Sequence, residues 1–379
     1  MIRFMIPSNG VKPDAGKLLA LTGIRGIAAC WVVGFHLSTN LQQALGGLPA
    51  RGTIILRSGY LAVDLFFMLS GFILAYRYGP RLAVDRTEAL RDFCVGRVFR
   101  ILPLNWAMLI ILLILSTAMP SPVWSSEPLT MASFWASMAL VQAWGFSNAT
   151  AWNFPAWSLS TEWAAYALFP AMLLVGEKVR GARSAFAAGA GALLALSALM
   201  IAVGDSTLDH SWLLGLPRCF LQFFAGVCFW RAFDRGLFDR RHADTLVLAG
   251  LVGLLVVIVL PAADLLAPFA FGALILSCAL GSSIAAALFA NRTAMFLGEI
   301  SFSIYLSHAI IISCGVLLAF SLGLANASEA VRLVFLSGIC AAILGVSFLS
   351  WKMIERPSQV AGRRFQNHLD RQSAGVSKI

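Results

Sequence analysis

Arg25 and His36 stand eleven residues apart in one apolar stretch, Leu18 to Leu37, of a length that crosses a bilayer. An ionisable group at membrane depth is expensive and usually faces a cavity or a partner, so this pair is the first candidate for chemistry. At 100° per residue that spacing returns to within about 20° of the starting face after a rise of about 16.5 Å. The two side chains therefore share one helix face at two depths. A histidine with a carboxylate at its own depth can act as general base or as nucleophile, because the carboxylate fixes the imidazole tautomer and raises its basicity. Two carboxylates qualify. Asp64 lies in Tyr60-Leu61-Ala62-Val63-Asp64-Leu65-Phe66-Phe67, and Glu162 lies in Pro155-Ala156-Trp157-Ser158-Leu159-Ser160-Thr161-Glu162. A purely structural cluster clamping three helices is the bland alternative, and the cost of burying three such groups favours function.

Arg97 and Arg100, spaced i, i+3, project from one face where a third apolar span begins. Two guanidiniums there suit a phosphate-bearing ligand, although basic anchors at helix ends are routine. Arg218 follows Pro217 inside an apolar span and reads as a cavity residue. Ser301, Ser303 and Tyr305, in a span beginning near Ala294, read as hydroxyls that bridge neighbouring helices. His308 closes that segment and ranks below His36, since no carboxylate is evident at its depth. Glu355-Arg356-Pro357 reads as solvated charge at a helix end. Trp157, Arg218, Tyr305 and His308 complete the candidates for a cavity wall. No Walker loop, G-x-S-x-G elbow or H-E-x-x-H pattern occurs, so nucleotide hydrolysis, serine hydrolysis and zinc chemistry have no sequence support, and no metal is expected.

These residues must be positioned by membrane helices. The 379 residues are 59% hydrophobic and 12% charged, far too apolar for a soluble domain of this length, which implies an all-α polytopic bundle. Apolar stretches begin near residues 18, 57, 99, 155, 185, 211, 244, 265, 294 and 330, giving about ten spans, with a shorter stretch from Met131 to Gly145. Lys and Arg cluster before the first span, in Arg77 to Arg100, in Glu177 to Arg183, in Arg231 to Arg241, at Arg292 and from Lys352 onward. If these clusters are cytoplasmic, both termini are cytoplasmic and Met131 to Gly145 does not cross. The loop 121–126 then faces outward. The expected organisation is a cytoplasmic segment 1–17, a transmembrane domain 18–356 and a cytoplasmic tail 357–379. A net charge of +10 reports orientation here rather than a nucleic-acid partner. Seven scattered cysteines without metal spacing read as small core residues.

Taken in order, the motifs resemble the acyltransferase-3 family of integral-membrane acyltransferases. The resemblance runs from Leu19-Ala20-Leu21-Thr22-Gly23-Ile24-Arg25-Gly26 to His36, then through Val63-Asp64-Leu65-Phe66-Phe67 and Arg97-x-x-Arg100. It continues through Trp157-Ser158-Leu159-Ser160-Thr161-Glu162, Leu297-Gly298-Glu299-Ile300-Ser301 up to His308, and Ile354-Glu355-Arg356-Pro357. Thr22 occupies the position where the family usually carries an acidic residue. The resemblance implies transfer of an acyl group, acetyl by default, from cytoplasmic acyl-CoA to a hydroxyl of a cell-surface or lipid-linked glycan at the bacterial inner membrane. It implies His36 as the catalytic histidine, with Asp64 or Glu162 orienting it, and Arg97 and Arg100 with Arg25 on the donor side. The alternative from another class is a glycan transporter or flippase that uses the buried charges as a pathway.

Overall fold

The structure is a computed structural model that describes residues 15–46, 53–82, 84–118, 127–146, 150–205, 207–209 and 214–376. The loop 121–126 and most of the segment 1–17 lie outside the described residues. In chain order the helices are α1 (Ala15–Ala44), α2 (Thr53–Arg57), α3 (Ala62–Leu82), α4 (Arg86–Ala118), α5 (Met131–Met138), α6 (Ala156–Lys178), α7 (Ala182–Ala202) and α8 (Gly215–Asp234). They continue as α9 (Ala243–Val259), α10 (Ala267–Leu280), α11 (Ser283–Phe289), α12 (Arg292–Glu299), α13 (Ser301–Ser321), α14 (Glu329–Ser350) and α15 (Arg356–Val376). No strand occurs among the described residues, and the protein is an all-α polytopic helix bundle.

Nine helical segments among the described residues are long and apolar enough to cross a bilayer. The expected tenth is α8, whose 20 residues span about 30 Å but carry Arg218, Gln222, Arg231 and Asp234. Those residues lower its hydropathy because α8 packs in the interior, against α3, α6 and α7, rather than against lipid. Lipid-facing positions look different: on α9, Leu248, Val252, Leu255 and Val259 are exposed at helical spacing. Helix α5 has eight residues and a length of about 12 Å, so it cannot cross a core about 30 Å thick.

Two features mark the C-terminal third. The span expected to begin near Ala294 is divided, with α12 ending at Glu299 and α13 starting at Ser301. The tail, for its part, is a helix: a π-turn at Trp351–Glu355 leads into amphipathic α15, which lies along the first half of α4. Ser358 Oγ donates to the Phe99 carbonyl at 2.5 Å, Gln366 Nε2 donates to the Asp92 carbonyl at 2.7 Å, and Phe365 meets Phe99.

Two close crossings fix the bundle. At the α3–α8 crossing, a Cβ on Gly71 would lie 2.0 Å from the Phe223 carbonyl oxygen, and one on Gly226 would lie 2.1 Å from that of Met68. At the α1–α12 crossing, a Cβ on Gly26 would lie 2.4 Å from the Gly298 nitrogen, and one on Gly298 would lie 2.1 Å from the Thr22 carbonyl oxygen. Without a hydrophobic force between helices in lipid, such backbone contact is what allows close van der Waals packing. Gly226→Ala should therefore force α3 and α8 apart at a cost of about 1–3 kcal/mol. Thermal unfolding of the detergent-solubilised variant measures this, and an unchanged midpoint would contradict the crossing.

Candidate active site

His36 lies on the inward face of α1 and is 8% exposed, at a cavity of about 60 Å³. The polar wall comprises His36, Tyr60 from the turn before α3, Trp157 from α6, Asp209, Arg218 from α8 and Tyr305 from α13. Val32, Phe35, Val63, Phe154 and Pro155 line the rest. Three of the cavity candidates read from the sequence, Trp157, Arg218 and Tyr305, thus share this space with His36. Tyr305 is held by its hydroxyl, 2.6 Å from Ser158 Oγ and 3.1 Å from the Pro155 carbonyl to which it donates.

The expected carboxylate partner of the imidazole is replaced by a second histidine. His36 Nδ1 lies 2.9 Å from His308 Nε2, with the ring centroids 5.0 Å apart and the ring planes inclined by 27°. His308 is fully buried on α13, and its Nδ1 lies 3.1 Å from the Ile304 carbonyl oxygen. Phe154 meets the His36 ring edge-on at 5.6 Å.

Asp64 is committed elsewhere. Arg218 Nε donates to its Oδ1 at 2.7 Å and Arg218 Nη2 to its Oδ2 at 2.6 Å, while Gln222 Nε2 also donates to Oδ1. Arg218 is 1% exposed and Asp64 0%, so each answers the other's charge away from water. Arg218 also lies over the Trp157 ring at 5.7 Å, so the pair reaches the cavity through Arg218. Glu162 accepts from the Tyr166 hydroxyl at 2.6 Å and lies in electrostatic range of Arg25 rather than on the cavity wall.

Arg25, at the other station on α1, donates from Nη2 to the Gly298 carbonyl at 3.0 Å and from Nε to Ser301 Oγ at 3.1 Å. Those partners flank the break between α12 and α13. Thr22, one turn earlier on α1, packs its carbonyl and methyl against Gly298. Arg25 is within electrostatic range of Arg97, Arg100 and Glu355 as well as Glu162. Arg97 lies over the Tyr166 ring at 5.7 Å, and its buried Nε has no hydrogen-bond partner among the described residues. Arg100 lies over Phe302 at 5.8 Å and 4.0 Å from the Glu355 carboxylate. This end of the bundle thus gathers three guanidiniums around two carboxylates, a surplus of positive donors suited to an anion.

Glu355 is the residue that sequence reasoning misplaced. It is 2% exposed rather than solvated, and it accepts from Ser303 Oγ at 2.8 Å and Gln359 Nε2 at 3.0 Å. A hydroxyl at membrane depth on α13 was the available signal, since it needed a partner on a neighbouring helix. Tyr60 and Asp209 were missed altogether. Asp209 sits in a loop, and Tyr60 donates to Asp264, 204 positions away, a pairing that no local periodicity marks.

Comparison with known proteins gives a consistent picture. A family described as an acyltransferase domain matches residues 18–351. A putative peptidoglycan O-acetyltransferase of Bacillus subtilis is 28% identical over 48% of this chain and 28% of its own length. An acyltransferase of Streptomyces mycarofaciens is 31% identical over 44% of this chain and 42% of its own length. The chain thus spans less than half the length of these relatives. A putative membrane-bound transacylase of Komagataeibacter xylinus is 26% identical over 89% of this chain and 81% of its own length. No solved structure matches.

The Asp64–Arg218 pair yields a stability test. Asp64→Leu alone removes the bidentate carboxylate that answers a buried guanidinium and should cost about 3–5 kcal/mol, whereas Asp64→Leu with Arg218→Met should recover most of that loss. Thermal unfolding in detergent distinguishes them; a double variant no more stable than the single one would contradict the pairing.

Proposed function

We propose, since the chain belongs to the acyltransferase family matched over residues 18–351, that it is an integral-membrane O-acyltransferase that carries a short acyl group from acyl-CoA to a hydroxyl of a glycan. The observation that carries this reading is the arrangement along α1. A surplus of guanidiniums, Arg25, Arg97 and Arg100, stands at one end, and His36 stands at a cavity about 16.5 Å further along the same face. The phosphates of CoA would bind Arg97 and Arg100, and Arg25 would line the passage of the pantetheine arm. The thioester would then meet the acceptor hydroxyl in the cavity beside His36.

There His36 acts as general base. The hydroxyl proton passes to the imidazole as the oxygen attacks the acyl carbonyl, the C–S bond breaks, and the departing thiolate takes the proton back. The glycan acceptor is supported by a relative's name, that of a putative peptidoglycan O-acetyltransferase. Basic residues on α15 and at the start of α4 support a cytoplasmic location for the guanidinium end, with His36 towards the outer face of a bacterial inner membrane. Family membership favours this reading over a transporter.

Vesicles given radiolabelled acetyl-CoA should transfer label to membrane glycan, and His36→Ala should lower transfer by on the order of 10²–10⁴-fold. Arg97→Ala or Arg100→Ala should chiefly raise the KM for acetyl-CoA, by about tenfold. Full transfer by His36→Ala would sink the assignment, and glycan movement without label transfer would favour the transporter. Orientation is tested separately: a cysteine placed by Arg363→Cys on α15 should react with an impermeant maleimide from the cytoplasmic side alone.

A further inference from the structure

We infer that His308 is a positioning residue that sets the tautomer of His36, and that the Ile304 carbonyl sets it in turn. This inference rests on the reading of His36 as the base. A backbone carbonyl can only accept a hydrogen bond. His308 Nδ1, 3.1 Å from the Ile304 oxygen, therefore carries a proton. A neutral imidazole has one donor nitrogen and one acceptor nitrogen, so His308 Nε2 is bare. His36 Nδ1, 2.9 Å away, must then be the donor across that contact. With its proton on Nδ1, His36 keeps its lone pair on Nε2, the nitrogen left to the cavity that the ring lines.

The chain from the Ile304 carbonyl through His308 to His36 thus does what a carboxylate does elsewhere, without placing a charge in the membrane. A carboxylate would demand a counter-ion or lower the cost of holding the histidine charged at rest; an imidazole anchored to a helix carbonyl does neither. During transfer the proton taken from the hydroxyl binds His36 Nε2, while the Nδ1 proton stays shared with His308 Nε2. When the proton leaves to the thiolate, the starting tautomer returns. The opposite tautomer, with a proton on Nε2 and Nδ1 bare, would present a donor to the substrate hydroxyl and could not accept its proton.

Helix geometry makes the assignment local. The contact from His308 to Ile304 spans i to i−4, so it is made within α13 alone, and the contact with His36 depends on the distance between α1 and α13. That distance is held by Arg25, whose contacts with Gly298 and Ser301 tie α1 to the start of α13.

The test uses the full-length protein in nanodiscs with ¹⁵N-histidine, His36 being assigned by its loss in His36→Ala. In the wild type the spectrum should show a protonated Nδ1 and a bare Nε2 at His36. His308→Leu should lower kcat by on the order of 10²-fold with the KM for acetyl-CoA little changed, and should shift His36 towards the other tautomer. His308→Gln, whose amide oxygen can accept from Nδ1, should restore both the tautomer and most of kcat. A wild-type His36 protonated on Nε2, or an equal loss in His308→Gln and His308→Leu, would overturn the inference while leaving His36 as the base. Full activity in His36→Ala would instead overturn the underlying reading.

Discussion

The bilayer interior offers no water to complete a polar group, so each buried charge in this protein must be answered by another helix. The contact between Asp64 and Arg218, supplemented by Gln222, is where that constraint bears hardest. It lies between α3 and α8, the same pair that the glycines at 71 and 226 bring into backbone contact. Small residues permit the approach, the ion pair fixes the register, and neither serves without the other. Because Arg218 also walls the cavity, the clamp that holds the bundle together forms part of the candidate site.

α1 acts as a ruler between two chemically unlike regions. One end concentrates guanidiniums among a few carboxylates; the other pairs two imidazoles among aromatic rings. Separating them suits a reaction whose donor is polyanionic but whose transfer step needs an uncharged base in a confined space. Charges close to His36 are tied up in pairs, Arg218 with Asp64 above all.

Much of this was legible in the sequence, and the unreadable remainder has a physical cause. Arg25, His36, Arg97, Arg100 and Arg218 announced themselves because charge in an apolar run is costly. Trp157 and Tyr305, both candidates for a cavity wall, line the cavity beside His36. Depth, though, does not determine azimuth: Asp64 and Glu162 lay on suitable spans yet turn to Arg218 and Tyr166. His308 ranks low in the sequence because no carboxylate lies at its depth, whereas an imidazole and a carbonyl suffice. Glu355 reads as a surface charge because a helix end looks solvated in sequence, and it is the fold of α15 back along α4 that buries it. Similarly, hydropathy does not mark the break at Ile300: Glu299 and Ser301 flank it, and isolated polar residues occur inside unbroken spans as well.

That break has a meaning of its own. The Gly298 carbonyl, two residues before the break at Ile300, has two lone pairs to offer. Here it receives Arg25 and the Ser301 hydroxyl. At the interruption the main chain thus serves as a receptor for a side chain, a berth for a cation within an apolar environment.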